Sequence, residues 1–462
     1  MFKQSIFWQH HPALLLGVLA TMSAFLAFGH LWALLPSLIL FLTVHQKKLF
    51  WFFFLILAYT PLLYQFPTQV EETAIFSIES VSRSEKGGFL YRGKISSSHS
   101  RNVPVRIFAK KYYSQGTYQV QGKWQKRRGY QFKVKGEWEL QPAPWSSASL
   151  RYALKERVRL WIASHYPEKR VSHFLSGLTI GELGDSFLWK EFGDLGLAHI
   201  MAISGFHFSL IAAFFFFFLR FFLPYKLSIG VLMALLTSYM LFLGNTPSIQ
   251  RAWLSAMVFL FGELIQRESR PLNSLGVALL VAILLDPLVS QNLGFQLSFL
   301  ATFSLLLIYP ACLELFYKWM PPLAFETVSK KRLGVQYLYI VQQIFHKGVV
   351  LACAIQLTLS PLLLYLFHRL PMNGLIYNLF FPFLVSVSML LFLVASCLPF
   401  LGSSLHRLNG AYTGWILSFL ETPPLQLPWV YVESLPVWGV TLFLTVLFWG
   451  ATGFYVRSNA KD

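Results

Sequence analysis

The stretch LFWFFFLILAYTPLLYQFPTQVEETAIFSIESVS, Leu49–Ser82, changes character at its middle. Up to Tyr64 it is an unbroken apolar run of the kind that a bilayer core about 30 Å thick requires of a helix. Beyond Phe66 apolar and polar side chains alternate with a period of two, which marks half-buried strands. A spanning helix thus delivers the chain directly into a small β unit.

Five strands are predicted in that unit: Ala74–Ser82, Gly88–Ser96, Val103–Lys110, Thr117–Gln125 and Tyr130–Leu140. Tyr118, Val120 and Trp124 share one face of their strand, and Tyr130, Phe132, Val134, Trp138 and Leu140 share one face of theirs. Lys126, Arg127, Arg128 and Gly129 read as the turn between these two, with the glycine free to take positive φ. Five strands in this length suit an OB-like barrel. Residues 66–144 carry 14 Lys and Arg against 6 Glu, an excess of 8.

Upstream lie two more apolar runs, Ala13–Gly29 and Leu31–Val44, with Lys47 and Lys48 before the third. The positive-inside rule puts that lysine loop in the cytoplasm, so the third run leaves the cytoplasm and the β unit faces outside. Three apolar runs in quick succession read as an anchor cluster rather than a cleaved signal peptide. Downstream, Arg151, Lys155, Arg157 and Arg159 surround an apolar line of Leu154, Val158 and Trp161, which predicts a helix lying at the membrane surface. Further spans are predicted at Leu197–Leu223, Leu227–Leu243, Trp253–Ile265, Leu275–Val289, Leu293–Tyr309, Val349–Phe367, Leu375–Leu398 and Val437–Phe454.

The fold class is therefore a polytopic α-helical membrane protein of about ten or eleven transmembrane segments with an inserted small all-β, OB-like domain. Its expected divisions are anchor helices in 1–65, the outward-facing β domain in 66–144, the interfacial helix in 145–170 and a transmembrane channel domain in 171–462.

Composition agrees. Of 462 residues 55% are hydrophobic and only 13% charged, whereas about a quarter of an ordinary soluble domain is charged. Disorder is excluded on the same ground. The net charge is nonetheless +18, which points either to an anionic partner or to topogenic anchors in the loops. The three cysteines, Cys312, Cys353 and Cys397, lie in or beside apolar stretches and form neither a disulfide framework nor a CxxC knuckle. No metal or cofactor is expected.

Within the membrane region four stretches are unusually polar. GLAHIMAISGFHFSL, Gly196–Leu210, reads as one apolar helix carrying His199, Ser204, Gly205 and His207. Ionisable groups at such depth face a bundle interior or a wet cavity. On one continuous helix the two histidines would stand about 12 Å apart, too far for a shared metal. Ser204 and His207 can meet on one face, which leaves three readings: a nucleophile pair, satisfied core histidines, or a polar stripe lining a conduit. Upstream, Gly177, Gly181, Glu182, Gly184, Asp185, Glu191 and Asp194 read as interfacial structure. In NTPSIQRAW, Asn245–Trp253, Gln250 and Arg251 open a helix; Arg251 either snorkels to the headgroups or offers a phosphate-binding cation. DPLVSQNLGFQLSFLAT, Asp286–Thr302, sets Gln296 and Ser298 in an apolar helix, and MNGLIYNLFFPFL, Met372–Leu384, sets Asn373 and Asn378 before Pro382. Broken, polar spans of this kind line cavities rather than lipid.

These stretches, in this order after a β insert, resemble the ComEC/Rec2 family of competence proteins. The family's Gly and His-x-x-Ala-x-Ser-Gly-x-His are matched by Gly196, His199, Ala202, Ser204, Gly205 and His207. Its Pro-Ser-x-Gln-Arg-Ala is matched by Pro247, Ser248, Gln250, Arg251 and Ala252. Its Asp-Pro and Gly-Phe-Gln-Leu-Ser-Phe are matched by Asp286, Pro287, Gly294, Phe295, Gln296, Leu297, Ser298 and Phe299, and its late Asn and Pro by Asn378 and Pro382. The chain ends before the metallo-β-lactamase-like domain that longer family members carry, so no nuclease activity is expected of it. Phe208 and Ser209 stand where the family often has a small residue.

The resemblance implies a multi-pass protein of the cytoplasmic or inner cell membrane that passes single-stranded DNA inward during natural transformation, and not an enzyme. The implied channel seam is His199, Ser204, Gly205, His207, Gln250, Arg251, Asp286, Gln296, Ser298 and Asn378. With the aromatics assigned to the barrel core, the expected DNA contacts are Lys123, Lys126, Arg127, Arg128, Lys133 and Lys135. Implied partners besides DNA and lipid are a DNA receptor, a separate nuclease, a cytoplasmic ATP-driven motor and a second copy of the chain; no P-loop is present. Two alternatives remain at this stage: an intramembrane enzyme using His199, Ser204 and His207, and a permease for another polyanion or metabolite.

Overall fold

The computed structural model describes residues 2–44, 49–64, 71–83, 88–97, 100–113, 116–127, 129–134, 139–140, 147–181, 186–201, 203, 205–244, 246–266, 270–323 and 325–459. Helices α1 (Phe2–His10), α2 (Pro12–Ala27), α3 (Leu34–Thr43) and α4 (Phe50–Leu63) lead into strands β1 (Glu71–Arg83), β2 (Phe89–Ser96), β3 (Val103–Ala109), β4 (Thr117–Arg127), β5 (Gly129–Val134) and β6 (Glu139–Leu140). Helices α5 (Ser147–His165), α6 (Lys169–Ile180), α7 (Ser186–Asp194), α8 (Ala198–Met201), α9 (Gly205–Arg220), α10 (Tyr225–Leu243), α11 (Pro247–Leu264), α12 (Pro271–Leu285) and α13 (Leu293–Phe303) follow. A π-helical turn, Ser304–Ile308, joins α13 to α14 (Tyr309–Trp319). The chain continues through α15 (Phe325–Ser329), α16 (Leu333–Phe367), β7 (Arg369–Pro371), α17 (Gly374–Tyr377), α18 (Phe381–Cys397), α19 (Pro399–Glu421), β8 (Trp429–Tyr431) and α20 (Val437–Asn459).

Among the described residues, four helical stretches are long and apolar enough to cross a membrane: Tyr225–Leu243, Leu293–Trp319, Leu333–Phe367 and Val437–Arg457. Six shorter apolar helices accompany them, among them α2, α4, α9, α12 and α18. The protein is thus a helical membrane bundle with a separate β unit.

The strands follow the sequence reading closely. They lie in the order β3-β2-β1-β4-β5, all antiparallel, and β3 turns back toward β5 to make a half-barrel; β6 pairs with β4. Alternation buries Phe76, Tyr91, Ile95, Val103, Val105, Tyr118, Val120, Trp124 and Phe132 in one core. The aromatics of the last two strands are core residues where described, as the alternation predicts. The turn differs from expectation. Lys126 and Arg127 still pair in the ladder, opposite Tyr130 and Gly129, so the reversal is tighter than a four-residue turn.

The half-barrel is fastened to the bundle at three points. Asn102 Nδ2 donates to the Leu63 carbonyl at the end of α4 (3.2 Å), and Arg101 reaches the Leu62 carbonyl (3.5 Å). Lys94 Nζ lies 3.4 Å from the Asp286 carboxylate at the end of α12, which also accepts from the Tyr64 hydroxyl. The third fastening is α5. Its Ala148 packs into the barrel core, Arg151 donates to the Glu79 carbonyl, and Ile162 enters the cluster built by α6–α8 and α17–α19. Leu154 and Trp161 of α5 are exposed.

Close backbone approach holds the anchor cluster to the rest. A Cβ on Gly17 would sit 2.5 Å from the Gly276 carbonyl oxygen, and one on Gly276 would sit 2.2 Å from the Leu14 nitrogen. Helices α2 and α12 therefore touch through two glycines, the small-residue packing that substitutes for a hydrophobic driving force in lipid.

Several predicted spans change outline. The run 196–210 is broken: α8 has only four residues, Ile203 is non-helical, and α9 starts at Gly205. The run Leu375–Leu398 splits into α17 and α18, with Pro382 in the first turn of α18, where its missing N–H costs nothing. The span at Val349 is only the second half of α16, which starts at Leu333 and has 35 residues. Helix α19, 23 residues long, was not foreseen, because Ser403, Ser404, His406, Arg407 and Asn409 interrupt its apolar pattern.

Candidate functional site: a polar seam where three helices begin

Three of the polar stretches meet at the starts of α9, α11 and α13. A Cβ on Gly205 would lie 3.0 Å from Arg251 Nη2, so the guanidinium covers the first turn of α9. A Cβ on Gly294 would lie 3.3 Å from Ser248 Oγ, which sets the first turn of α11 against that of α13. Helices α9, α11 and α13 therefore open at one level of the bundle. That level is the β-unit end, because Asp286, held by Lys94 and Tyr64, lies just ahead of α13.

Each start has a local cause. Asn292 caps α13, its Oδ1 accepting from the Gly294 and Phe295 N–H groups (2.9 and 3.3 Å). Helix α11 begins with Pro247, whose missing N–H falls among the orphan donors of a first turn. Helix α9 follows the interruption at Ile203, and its Gly205 leaves room for Arg251.

Arg251 does not snorkel. Its Nη1 donates to Thr302 Oγ1 of α13 at 3.0 Å, and its guanidinium carbon stands 5.8 Å from the centre of the Phe299 ring. No carboxylate accompanies it in an ion pair among the described residues. A guanidinium so placed is a standing positive charge inside the bundle.

The remaining seam residues divide. His199, on α8, is exposed. His207, one turn into α9, is buried, with the Phe206 ring edge-on at 6.1 Å. Because the chain breaks between them, the separation expected on one continuous helix does not apply. The described residues hold no cluster of three or more metal-ligating side chains. Gln250 and Ser298 are half-buried on α11 and α13. Gln296 turns away from the seam and donates to the Ser290 carbonyl (2.9 Å). Asp286 likewise acts as a cap and tie, accepting from the Leu288 N–H (3.0 Å) as well as from Lys94 and Tyr64.

Asn378 follows α17, beside a second glycine crossing. Gly196 has φ +72°, and a Cβ there would sit 2.9 Å from the Gly374 Cα, so this position does not accept a larger residue without separating the two segments. The Asn378 amide nitrogen lies 3.4 Å from the Gly374 Cβ position, and its Oδ1 is buried without a hydrogen-bond partner among the described residues. Asn373, whose role the sequence left open, is structural: it donates to the Asp194 carbonyl (3.3 Å) and accepts from the Leu427 N–H (2.7 Å).

Ser204, Arg128 and Lys135 lie outside the described residues, as do the side chains of Lys126, Arg127 and Lys133. Lys123 is exposed on the outer face of β4. Thr302 and Phe299 are neighbours of Arg251 that were not among the expected seam residues. Their signal was the spacing of three from Phe299 to Thr302, which puts both on one face of α13.

A family model described as Competence protein matches residues 182–457, well over half of the chain. ComE operon protein 3 of Bacillus subtilis is 31% identical over 131 residues, which are 27% of this chain and 17% of that protein. Recombination protein 2 of Haemophilus influenzae is 29% identical over 218 residues, 44% of this chain and 25% of its own length. An uncharacterized protein of Mycoplasma pneumoniae is 27% identical over 300 residues, 62% of this chain and 69% of that one. The match thus spans a quarter or less of the length of the first two relatives. No solved structure matches the chain.

Proposed function

Because the chain belongs to the ComEC/Rec2 family of competence proteins, we propose that it forms the conduit by which single-stranded DNA crosses the cytoplasmic membrane. The observation that carries this reading is Arg251. A guanidinium held inside an apolar bundle over the open turn of a second helix, with a hydroxyl and a ring as its neighbours, is disposed to meet a passing phosphate. The β unit, fastened at the end of the bundle where α9, α11 and α13 begin, adds a second, more distant basic region. In this reading the half-barrel stands outside the cell, DNA is gathered there by phosphate neutralisation, and the strand enters between the helix starts.

The interior of a conduit is wet and occupied in turn. Single cysteines at Gln250, Ser298 and Asn378, in a chain whose own three cysteines are replaced, should react with a hydrophilic maleimide, and a short oligothymidylate should slow that reaction. A cysteine at exposed Leu305 should be inert in lipid and indifferent to DNA. Seam cysteines that stay unreactive, or react at a rate DNA does not change, overturn the reading. The intramembrane-enzyme alternative instead requires Ser204→Ala to abolish a measurable turnover by purified protein.

A further inference from the structure

The anchor helix α2 and the bundle helix α12 run side by side in the same direction. Asn273 Nδ2 donates to the His10 carbonyl (3.2 Å), the Gly276 Cβ position lies 2.2 Å from the Leu14 nitrogen, and the Gly17 Cβ position lies 2.8 Å from the Leu279 Cβ. The contacts advance together along both chains, so the two N-termini stand level with each other. That level is the end of the bundle away from the half-barrel, since α12 finishes at Asp286 and His30, just after α2, meets Gln291 (Nε2 to Oε1, 2.6 Å). Each helix presents the positive end of its dipole here, and like ends placed side by side repel. Both helices open with a proline, and neither His11 nor Arg270, the residues in front, caps its helix with a side-chain hydrogen bond. The first-turn N–H groups, which have no acceptor within their own helix, gain none from these caps.

The side chains around the paired starts are incomplete as well. His11, ahead of the apolar run of α2, is only 3% exposed, yet neither of its ring nitrogens has a hydrogen-bond partner. Phe7 of α1 and Tyr455 of α20 present rings to it, with centroids at 4.8 and 5.6 Å, and the charges that bear on it are those of Arg270 and His10. Its nitrogens therefore belong to the polar side made by the start of α12. Burial, and then the Arg270 charge, hold the imidazole well below its ordinary value, at about 4. The ring is thus neutral, with one nitrogen to donate and one to accept. In the first turn of α12, Asn273 keeps a buried Oδ1 that accepts from nothing. The rim beside them is open and basic. Arg270 is exposed, Arg457 is exposed two residues after Tyr455, and no carboxylate pairs with either among the described residues.

We propose that the paired starts of α2 and α12 hold a phosphodiester that carries free hydroxyls, the chemistry shared by a glycerol-headgroup lipid and a soluble glycerol phosphodiester. The phosphate answers the two positive helix ends and the Arg270 guanidinium. A hydroxyl both donates and accepts, which is what the Asn273 oxygen and the His11 ring lack. A bare anion would satisfy the helix ends and leave the Asn273 oxygen without a donor. Entry is over Arg270 and Pro271, both exposed. The site shares no residue with the Arg251 seam and does not rest on the conduit reading.

The purified full chain in detergent is titrated with phosphatidylglycerol and with phosphatidylmethanol, an anion of equal charge without hydroxyls, and bound lipid is read by native mass spectrometry. The parent should prefer phosphatidylglycerol by about 2- to 13-fold for each hydrogen bond gained. His11→Phe keeps a ring between Phe7 and Tyr455, so it should melt no lower than the parent without lipid, yet narrow that preference. Arg270→Gln, on the exposed rim, should weaken both lipids by about 5-fold, the share of one basic residue facing an anionic headgroup. Displacement of the lipid by excess glycerophosphoglycerol identifies the soluble diester as the ligand; a lipid that stays bound identifies the headgroup. A parent that does not distinguish the two lipids, or an Arg270→Gln protein that loses no affinity, overturns the site. So does a His11→Phe protein that keeps the full preference, or one that melts lower without lipid, since His11 would then be a packing residue.

Discussion

Arg251→Met separates a conduit charge from a structural strut. The guanidinium has one inter-helix hydrogen bond, to Thr302 at 3.0 Å, and one ring neighbour, Phe299 at 5.8 Å. Inter-helix hydrogen bonds in a bilayer average about 0.6 kcal/mol, and a cation–π contact adds about 0.5–2 kcal/mol. Against these stands the cost of keeping the charge out of bulk water, several kcal/mol for each ion. The sum is close to zero or unfavourable. Methionine fills similar volume without charge, so the variant should melt at the parent temperature or above it, within the gain of about 1–4 kcal/mol seen when buried ions are replaced by apolar residues. DNA uptake should fall in the opposite direction. A charged hydrogen bond to phosphate contributes about 1.5–3 kcal/mol, so the loss should be about 10- to 150-fold. The measurements are melting of the purified protein in detergent and uptake of labelled DNA by a transformable host whose own gene is replaced, normalised to protein in the membrane. A variant that melts several degrees lower and takes up DNA in proportion to its reduced abundance would refute the reasoning, since Arg251 would then be holding α11 to α13.

Gly276→Ala should lower the melting point, because its Cβ would sit 2.2 Å from the Leu14 nitrogen and 2.3 Å from the Ala13 carbonyl carbon. Both obstacles are backbone, so α2 and α12 must separate, at a cost of about 1–3 kcal/mol or more. Gly230→Ala on α10, which meets nothing within 4 Å, is the control and should melt unchanged or slightly higher. An equal response from the two glycines removes the close-crossing argument. In the half-barrel, burial raises the Tyr91 phenol above its ordinary value. A group with a raised folded-state pKa stabilises fully below its unfolded value, about 10 for tyrosine, and that stability is lost as pH rises toward the folded value. Tyr91→Phe should start less stable by about 1–3 kcal/mol, since the Tyr113 N–H loses its acceptor at 2.6 Å, yet lose less stability than the parent above about pH 10. Parallel alkaline denaturation curves for the two proteins would contradict this.

The β unit was legible because one face of each of β1–β4 is buried. A two-residue period is then enforced at each position, and Tyr118, Val120 and Trp124 declare their face in the sequence as they do in the fold. The membrane helices were legible as apolar runs but not in their interruptions. Nothing in GLAHIMAISGFHFSL shows a helix ending at Met201 and another beginning at Gly205, and the guanidinium that covers Gly205 comes from α11, more than forty residues on. The same holds for Asp286. Its Asp-Pro signature was visible, but its lysine partner lies 192 residues earlier, and no local pattern encodes a pairing at that distance. The Gly17–Gly276 contact is the extreme case. Each glycine alone is an ordinary small residue in an apolar run, and only the crossing gives it a reason.

Helix α16 has a consequence for the far side of the membrane. Thirty-five residues make a rod about 52 Å long, whereas the hydrocarbon layer is about 30 Å thick. At the steepest tilt common among spanning helices, about 40°, the layer accommodates about 39 Å of rod, so about 13 Å must stand clear of it. The C-terminal end is tied down through β7 to β8, which leaves the Leu333 end as the part that projects, behind Lys330, Lys331 and Arg332. Leu333, Tyr337, Ile340 and Ile344, all exposed, form a ridge along it at steps of three and four. The bilayer cannot cover the outermost part of that ridge. In the compartment opposite the half-barrel, the protein therefore presents a stiff apolar spur with a cationic base, rather than a flat floor.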